Sequence, residues 1–191
     1  MKPLIILLLG ALVAASVSAQ GHQEAPAQNP TEHSNPDRLT DSQRSAQPED
    51  VESADALISA MYEVVSGPAG KARDWRRMYS LFVPGAVLIR TARGKTGDLT
   101  AAVLSPSEYI SRAGNFFETH AFYERESSRQ IRSWGNVEQV FSMYESSQDA
   151  AYDEPFAKGV NCIELFNDGK RWWITAIMWQ EEAVQTPLPT K

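Results

Sequence analysis

The chain has 191 residues, with 18 basic and 24 acidic side chains and one cysteine. A net charge of -6 counts against nucleic acid or an anionic membrane surface as partner, and a lone cysteine excludes an internal disulfide. The length suffices for one domain with its own core. Residues 1–19 open with Lys2, run on as an apolar stretch from Leu4 to Val17, and end in Val17-Ser18-Ala19 before Gln20. This is the pattern of a secretory signal cut after Ala19, and the run is short for a membrane span. The expected product is exported, periplasmic or secreted, with no stable membrane insertion once the signal is gone. Residues 20–50 are rich in Gln, Pro, Ser, Asn, Asp and Glu, with Leu39 as their only large aliphatic residue. They read as a disordered polar leader. His22 and His33 lie there without the spacing of a metal site.

Helical periodicity begins near Val51. Ala54, Leu57, Ile58, Met61, Tyr62 and Val65 follow the three-and-four rhythm of one apolar face, Pro48 with Glu49 and Asp50 suits the start, and Gly67-Pro68 the stop. Ala69 to Arg73 is a loop of basic character. A second helix is expected from the Asp74 cap, with Trp75, Met78, Tyr79, Leu81 and Phe82 on its buried side and Pro84-Gly85 at its end. Ala86 to Thr91 reads as a short strand, and Ala92 to Leu104 as a loop bordering an opening. Ser105 or Ser107 caps a third helix, with Pro106 in its first turn and Tyr109, Ile110, Ala113, Phe116 and Phe117 on its apolar side.

Four strands are then expected in succession. Phe122 to Ser133 carries mixed charge, Gly135-Asn136 turns the chain, and Val137 to Ser146 follows, with Phe141 and Met143 on one parity and Val140 and Tyr144 on the other. After an acidic connection, a last hairpin runs from Phe156 to Gln180 around Asn167-Asp168-Gly169. In simple alternation Trp173, Thr175 and Trp179 share one face of its second strand. Sequential strands with short turns pair antiparallel, and a sheet apolar on both sides needs helices against one of them. The expected folded domain spans 51–182, with 183–191 as a polar tail. Its fold class is α+β: three N-terminal helices packed on a strongly curved, mostly antiparallel sheet that encloses a hollow.

The pattern resembles the SnoaL-like branch of the nuclear transport factor 2-like (NTF2-like) superfamily. The resemblance rests on Leu57–Tyr62 with the Gly67–Gly70 turn, Asp74-Trp75 followed by Leu81–Ala86, Pro106–Ile110 with Phe116-Phe117, Phe122–Glu126, Gly135-Asn136, Phe141–Ser146, and Asn167-Asp168-Gly169 before Trp172-Trp173. It implies a cystatin-like α+β cone that often dimerises through its sheet. Members include ketosteroid-isomerase-like and cyclase-like enzymes, epoxide hydrolases and proteins without catalytic role. By this likeness Tyr62 matches the oxyanion-holding tyrosine of steroid isomerases. Their base position falls near Arg90, a cation, and their deep acid near Asn161 or Cys162, neither of them an acid.

The candidate ligand-binding residues are Tyr62, Trp75, Arg90, Asn161, Thr175 and Trp179. Tyr62 could donate a hydrogen bond, Arg90 could bind a carboxylate or enolate, Asn161 could orient a ligand, and Trp75 and Trp179 could line an apolar cavity. Each has an ordinary packing or pairing role as its alternative. His120 reads as a surface histidine and Cys162 as a small buried residue. Glu124 and Glu126 share one strand face and Arg125 and Arg129 the other, which reads as a salt-bridged wet face or a dimer contact. No phosphate loop, zinc motif or serine-nucleophile signature is present, so neither cofactor nor metal is expected. The leading functional expectation is an exported domain binding a small, mainly apolar molecule in its cone. The alternatives are a cyclase-, isomerase- or hydrolase-type enzyme, and a structural or homodimerising module with a packed cavity.

Overall fold

A computed structural model describes residues 45–94, 96–183 and 187–188. The expected signal over 1–19 and most of the leader expected over 20–50 lie outside the described residues.

A one-turn helix α1 (Pro48–Val51) leads into α2 (Ala54–Val65), and Ser53 caps the second by accepting a hydrogen bond from the Ala56 N–H at 3.0 Å. The two are separate because Ser53 sits in extended backbone and satisfies one of the four orphan N–H groups of a helix start. The apolar face of α2 buries Leu57, Ile58, Met61, Val64 and Val65. Each such side chain contributes about 1.5–3 kcal/mol when fully removed from water. Helix α3 (Trp75–Leu81) starts at the expected cap, with the Asp74 carboxylate accepting from the Arg77 N–H.

Two salt-bridged or clasped arginines fix these helices. Arg77 reaches both oxygens of buried Asp50 at 2.8 Å and also Glu63 at 2.8 Å, tying α3 to α1 and α2. Arg73, only 7% exposed, donates to the carbonyls of Val65, Gly67, Pro68 and Lys71. Its guanidinium thereby caps the C-terminal end of α2, where carbonyls lack helical partners.

The chain turns to strand earlier than expected. Strand β1 is Phe82–Arg93, and Pro84-Gly85 lies within it, across the irregularity between Phe82 and Val87. Gly85 supplies a positive φ of 81° there, which glycine tolerates without a Cβ clash. The loop expected over 92–104 is instead a hairpin: β2 (Leu99–Leu104) pairs antiparallel with Leu88–Arg93 of β1. Its signal is faint in the sequence because only Leu104 is buried. Helix α4 (Pro106–Thr119) opens on a capping box between Ser105 and Glu108.

Strands β3 (Tyr123–Trp134), β4 (Val137–Ser147), β5 (Ala157–Asn167) and β6 (Trp172–Glu181) complete a six-stranded sheet of order β2-β1-β6-β5-β4-β3. All neighbours are antiparallel except β1 and β6. The sheet is curved and unclosed, with α2, α3 and α4 against its inner face. Val140, Tyr144, Ile163, Leu165, Ile174 and Ile177 meet the helices there.

Two irregularities decide which side chains face inward. In β3 the pairing shifts between Glu126 and Ser128, so that Glu126 lies opposite Tyr144 and Arg129 opposite Ser142. Tyr144 and Ser142 share the inner parity of β4, so Glu126 and Arg129 lie on one face, not on the opposite faces that simple alternation assigns them. In β6 the pairing shifts between Glu164 and Leu165, leaving Thr175 as the extra residue. Trp172 and Ile174 face inward before the bulge, and Ile177 and Trp179 after it. Trp173 stacks under Arg171 at 3.6 Å and donates to Asp168, on the outer side.

Tyr144 lies across β5 at Gly159, its register partner. A Cβ on Gly159 would stand 2.5 Å from the Tyr144 hydroxyl and 2.4 Å from the Gln180 carbonyl. Gly159→Ala is therefore expected to lower stability by about 1–3 kcal/mol. Gly114 lies within α4, with only the Trp75 indole nitrogen at 4.0 Å. Gly114→Ala should raise stability by up to about 1 kcal/mol. Denaturant midpoints of the two variants check the opposite signs.

Candidate functional site

At the β3 side of the cone, α2, β3 and the β4–β5 loop enclose a cleft of about 440 Å³ lined by Ser59, Tyr62, Ser66, Glu124, Glu126 and Tyr152, among others. Glu124 is one of the side chains in its wall. Ser66 holds the backbone in place: its hydroxyl donates to the Tyr62 carbonyl and accepts from the Glu124 N–H at 3.0 Å. The Ser146 hydroxyl donates to the Glu124 carboxylate at 3.0 Å, and the Asn161 amide also bonds it. Burial outweighs these two bonds and pushes the Glu124 carboxyl up to about 7.

Four tyrosines from four parts of the chain stand close enough to feel that carboxyl: Tyr62 of α2, Tyr109 of α4, Tyr144 of β4 and Tyr152 of the β4–β5 loop. Burial raises every one of these phenols above its ordinary range, and the Glu124 charge adds to the effect. All four thus act as neutral groups at ordinary pH. Tyr152 has a φ of 58°, unusual for a bulky residue. Asp149 organises its loop, accepting from the Ser147 hydroxyl and the Ala151 N–H.

Tyr62 heads a polarised chain. Ser142 donates its proton to Glu126 at 2.5 Å, so the 2.6 Å contact between Tyr62 and Ser142 carries the Tyr62 proton. Asn161 donates to the Tyr62 oxygen at 3.0 Å. Glu126 is held in turn by Arg129, which also reaches Asp55 on the surface. The Tyr62 proton is therefore spent inside the protein. Tyr109 and Tyr144 are not among the residues that line the cleft, and Tyr144 is only 5% exposed.

Of the sequence candidates, four come together. Tyr62 and Asn161 are bonded, Asn161 pairs with Trp179 across β5 and β6, and Trp179 pairs with Arg90 across β6 and β1. Arg90 is exposed at the rim and near enough to Tyr144 to act on its phenol. Trp75 belongs to the helical wall, through Phe117 at 5.7 Å, Tyr109 beyond it, and Trp179 edge-on to Tyr109 at 6.1 Å. Thr175 is apart from the group, its hydroxyl donating to the Glu164 carbonyl at the bulge. His120 is exposed and stacked on Phe116. Cys162 lies on the outer face, partly rather than fully buried. Glu124 and Tyr152 were missed as site residues. The visible signal for Glu124 was its strand parity with Glu126, which does not distinguish a wet face from a buried one.

No family model matches the chain, and no curated protein matches it in sequence. Solved structures match its shape. A protein of unknown function with a cystatin-like fold from Nostoc punctiforme PCC 73102 has a TM-score of 0.51 at 10% identity, over 67% of this chain and 87% of that one. A candidate β subunit of an aromatic-ring-hydroxylating dioxygenase from Novosphingobium aromaticivorans DSM 12444 has 0.51 at 14% identity, over 72% and 95%. A protein of unknown function from Mycobacterium tuberculosis has 0.50 at 11%, over 71% and 74%. At such identities the likeness speaks for fold alone: this is the cystatin-like, NTF2-like α+β cone.

The raised Glu124 carboxyl makes stability depend on pH. The folded state holds this proton more tightly than the unfolded chain, so the stabilisation is fully present below the ordinary carboxyl value of 4.5 and is lost as pH rises towards about 7. Glu124→Gln keeps the shape and removes the ionisation. It is expected to be more stable than the parent at pH 8, by up to about 3 kcal/mol, with the gain shrinking towards pH 5. Urea unfolding across that range checks it.

Proposed function

We propose that this domain is exported and holds a small molecule in the cleft that leads to Glu124. The supporting observation is a cleft of about 440 Å³ whose lining joins the Glu124 carboxyl to the Tyr62 and Tyr152 side chains. A pocket that combines aromatic walls with a few convergent polar groups is the usual form of a ligand site. The lining is more polar than the apolar hollow suggested by composition, because the bulged β3 turns Glu124, Glu126 and Arg129 towards α2. The reading is tested by crystallising the protein without added ligand and by a thermal-shift screen of small molecules. Binders should raise the melting temperature of the parent and lose the effect in Ser59→Trp, where an exposed α2 position is filled at the cleft mouth. Shifts of equal size in the variant would overturn the assignment. N-terminal sequencing of the protein from an exporting cell should begin at Gln20; an intact Met1 would refute the export reading.

A second reading, an acid–base enzyme, is favoured by one observation. A carboxyl with a pKa of about 7 is matched to proton transfer near neutral pH. Such an activity would show an inflection in kcat near that pH, removed by Glu124→Gln.

We also propose a second copy of the chain as partner, across the outer face of the sheet. Phe141, Cys162, Met178, Ile89 and Val103 are successive register partners there, as are Trp134, Val137, Phe166 and Trp173. Trp134 is 87% exposed and Val103 62%. Apolar rows of this kind are the usual content of an isologous interface. Sedimentation of the parent should show a dimer and of Met178→Asp a monomer; a monomeric parent would remove the proposal.

A further inference from the structure

We propose that the occupant of the Glu124 cleft is a small organic cation, an amine or quaternary ammonium, held by the Glu124 carboxylate among the surrounding tyrosines. This rests on the small-molecule reading above and adds the chemistry of the ligand.

Three carboxylates line the cleft: Glu63, Glu124 and Glu126. Two have a cation of their own, Glu63 through Arg77 and Glu126 through Arg129. Among the described residues Glu124 has the Ser146 hydroxyl and the Asn161 amide, with no guanidinium or ammonium among the groups that favour its charge. Buried carboxylates in proteins are ordinarily paired with a positive group. The free protein leaves that place open, in the wall of the cleft.

The surroundings suit a positive ligand rather than a negative or a merely apolar one. Tyr62 and Tyr152 line the cleft together with Glu124, and aromatic rings attract cations through their negative faces. The ring at the entrance already holds one: the Arg125 guanidinium sits 4.2 Å from the centre of the Tyr152 ring. An anion would meet Glu124 and Glu126 on entry and leave the buried carboxylate without a counter-charge. A neutral apolar molecule would leave it likewise. The acidic balance of the chain, -6, draws cations to its surface. Arg125 and Arg129 flank the mouth, but each is engaged, by Glu145 and Tyr152 and by Glu126 and Asp55 respectively.

The test compares choline with its neutral carbon isostere, 3,3-dimethylbutan-1-ol, by ligand-observed NMR titration at pH 8. The protein is used in three forms: parent, Glu124→Gln and Ser59→Trp. Choline is expected to bind the parent about tenfold or more tightly than the isostere, to lose that advantage in Glu124→Gln, and to lose binding in Ser59→Trp. Equal binding of both probes by the parent, abolished in Ser59→Trp, would overturn the cation assignment and leave the small-molecule site standing. Binding that ignores Ser59→Trp, or no binding of either probe to the folded parent, would overturn the cation assignment at this site. In the same samples, a neutral or anionic hit from the thermal-shift screen that responds to Ser59→Trp would show that the site itself survives. The parent comparison alone decides charge preference, so the result does not depend on Glu124→Gln folding.

Discussion

A strand cannot change which of its side chains face the core without inserting or skipping a residue. That constraint governs this protein more than any single contact. The extra residue in β3 lets Glu126 and Arg129 pair on the inner side beside α2. The extra residue at Thr175 lets β6 present Trp172 and Ile174 to the core in one half, and Ile177 and Trp179 in the other. Without the first, the chain from Arg129 through Glu126 and Ser142 to Tyr62 would be broken. Without the second, Trp179 would stand outside and its pairing with Asn161 and Arg90 would not border the hollow. Bulges also bend a strand and strengthen its twist, so the same insertions contribute to the curvature that makes a cone.

The polar interior divides into two parts of different character. One is closed: Asn161, Tyr62, Ser142, Glu126 and Arg129 satisfy one another in a fixed direction. Such a network rigidifies the sheet against α2 and leaves nothing over for a guest. The other is open: Glu124, held by a hydroxyl and an amide, lines the cleft with Tyr152. A fold that keeps an uncompensated carboxyl at this depth sacrifices stability in the free state, a usual property of binding and catalytic sites. Ser146 and Asn161 moderate the cost without removing it.

Much of the architecture was legible in the chain. The three-and-four spacing from Ala54 to Val65, the Asp74 and Ser105 caps, and the turns at Gly135-Asn136 and Asn167–Gly169 are local signals, and each produced its element. Strand β2 was not legible, since Thr100, Ala101 and Ala102 are small and exposed on an edge. Nor were the bulges, because counting by twos assumes a regular ladder. Tyr62 and Asn161 were singled out and do meet, but what their meeting does was hidden: Ser142 and Glu126 use the phenol proton. Glu124 was hidden for a further reason. Its surroundings come from α2, β4 and the Tyr152 loop together, and no pattern within Tyr123–Trp134 records which distant groups will close over one glutamate.

Arg73 and Arg77 look alike in sequence, four residues apart, yet they answer to different solvents. Arg77 faces carboxylates, so concentrated brine or strong acid weakens its hold. Arg73 faces only amide oxygens, which neither titrate nor exchange counterions. The junction after the first long helix is thus fastened by a cation whose grip outlasts both treatments, so that corner stays shut where salt and pH change.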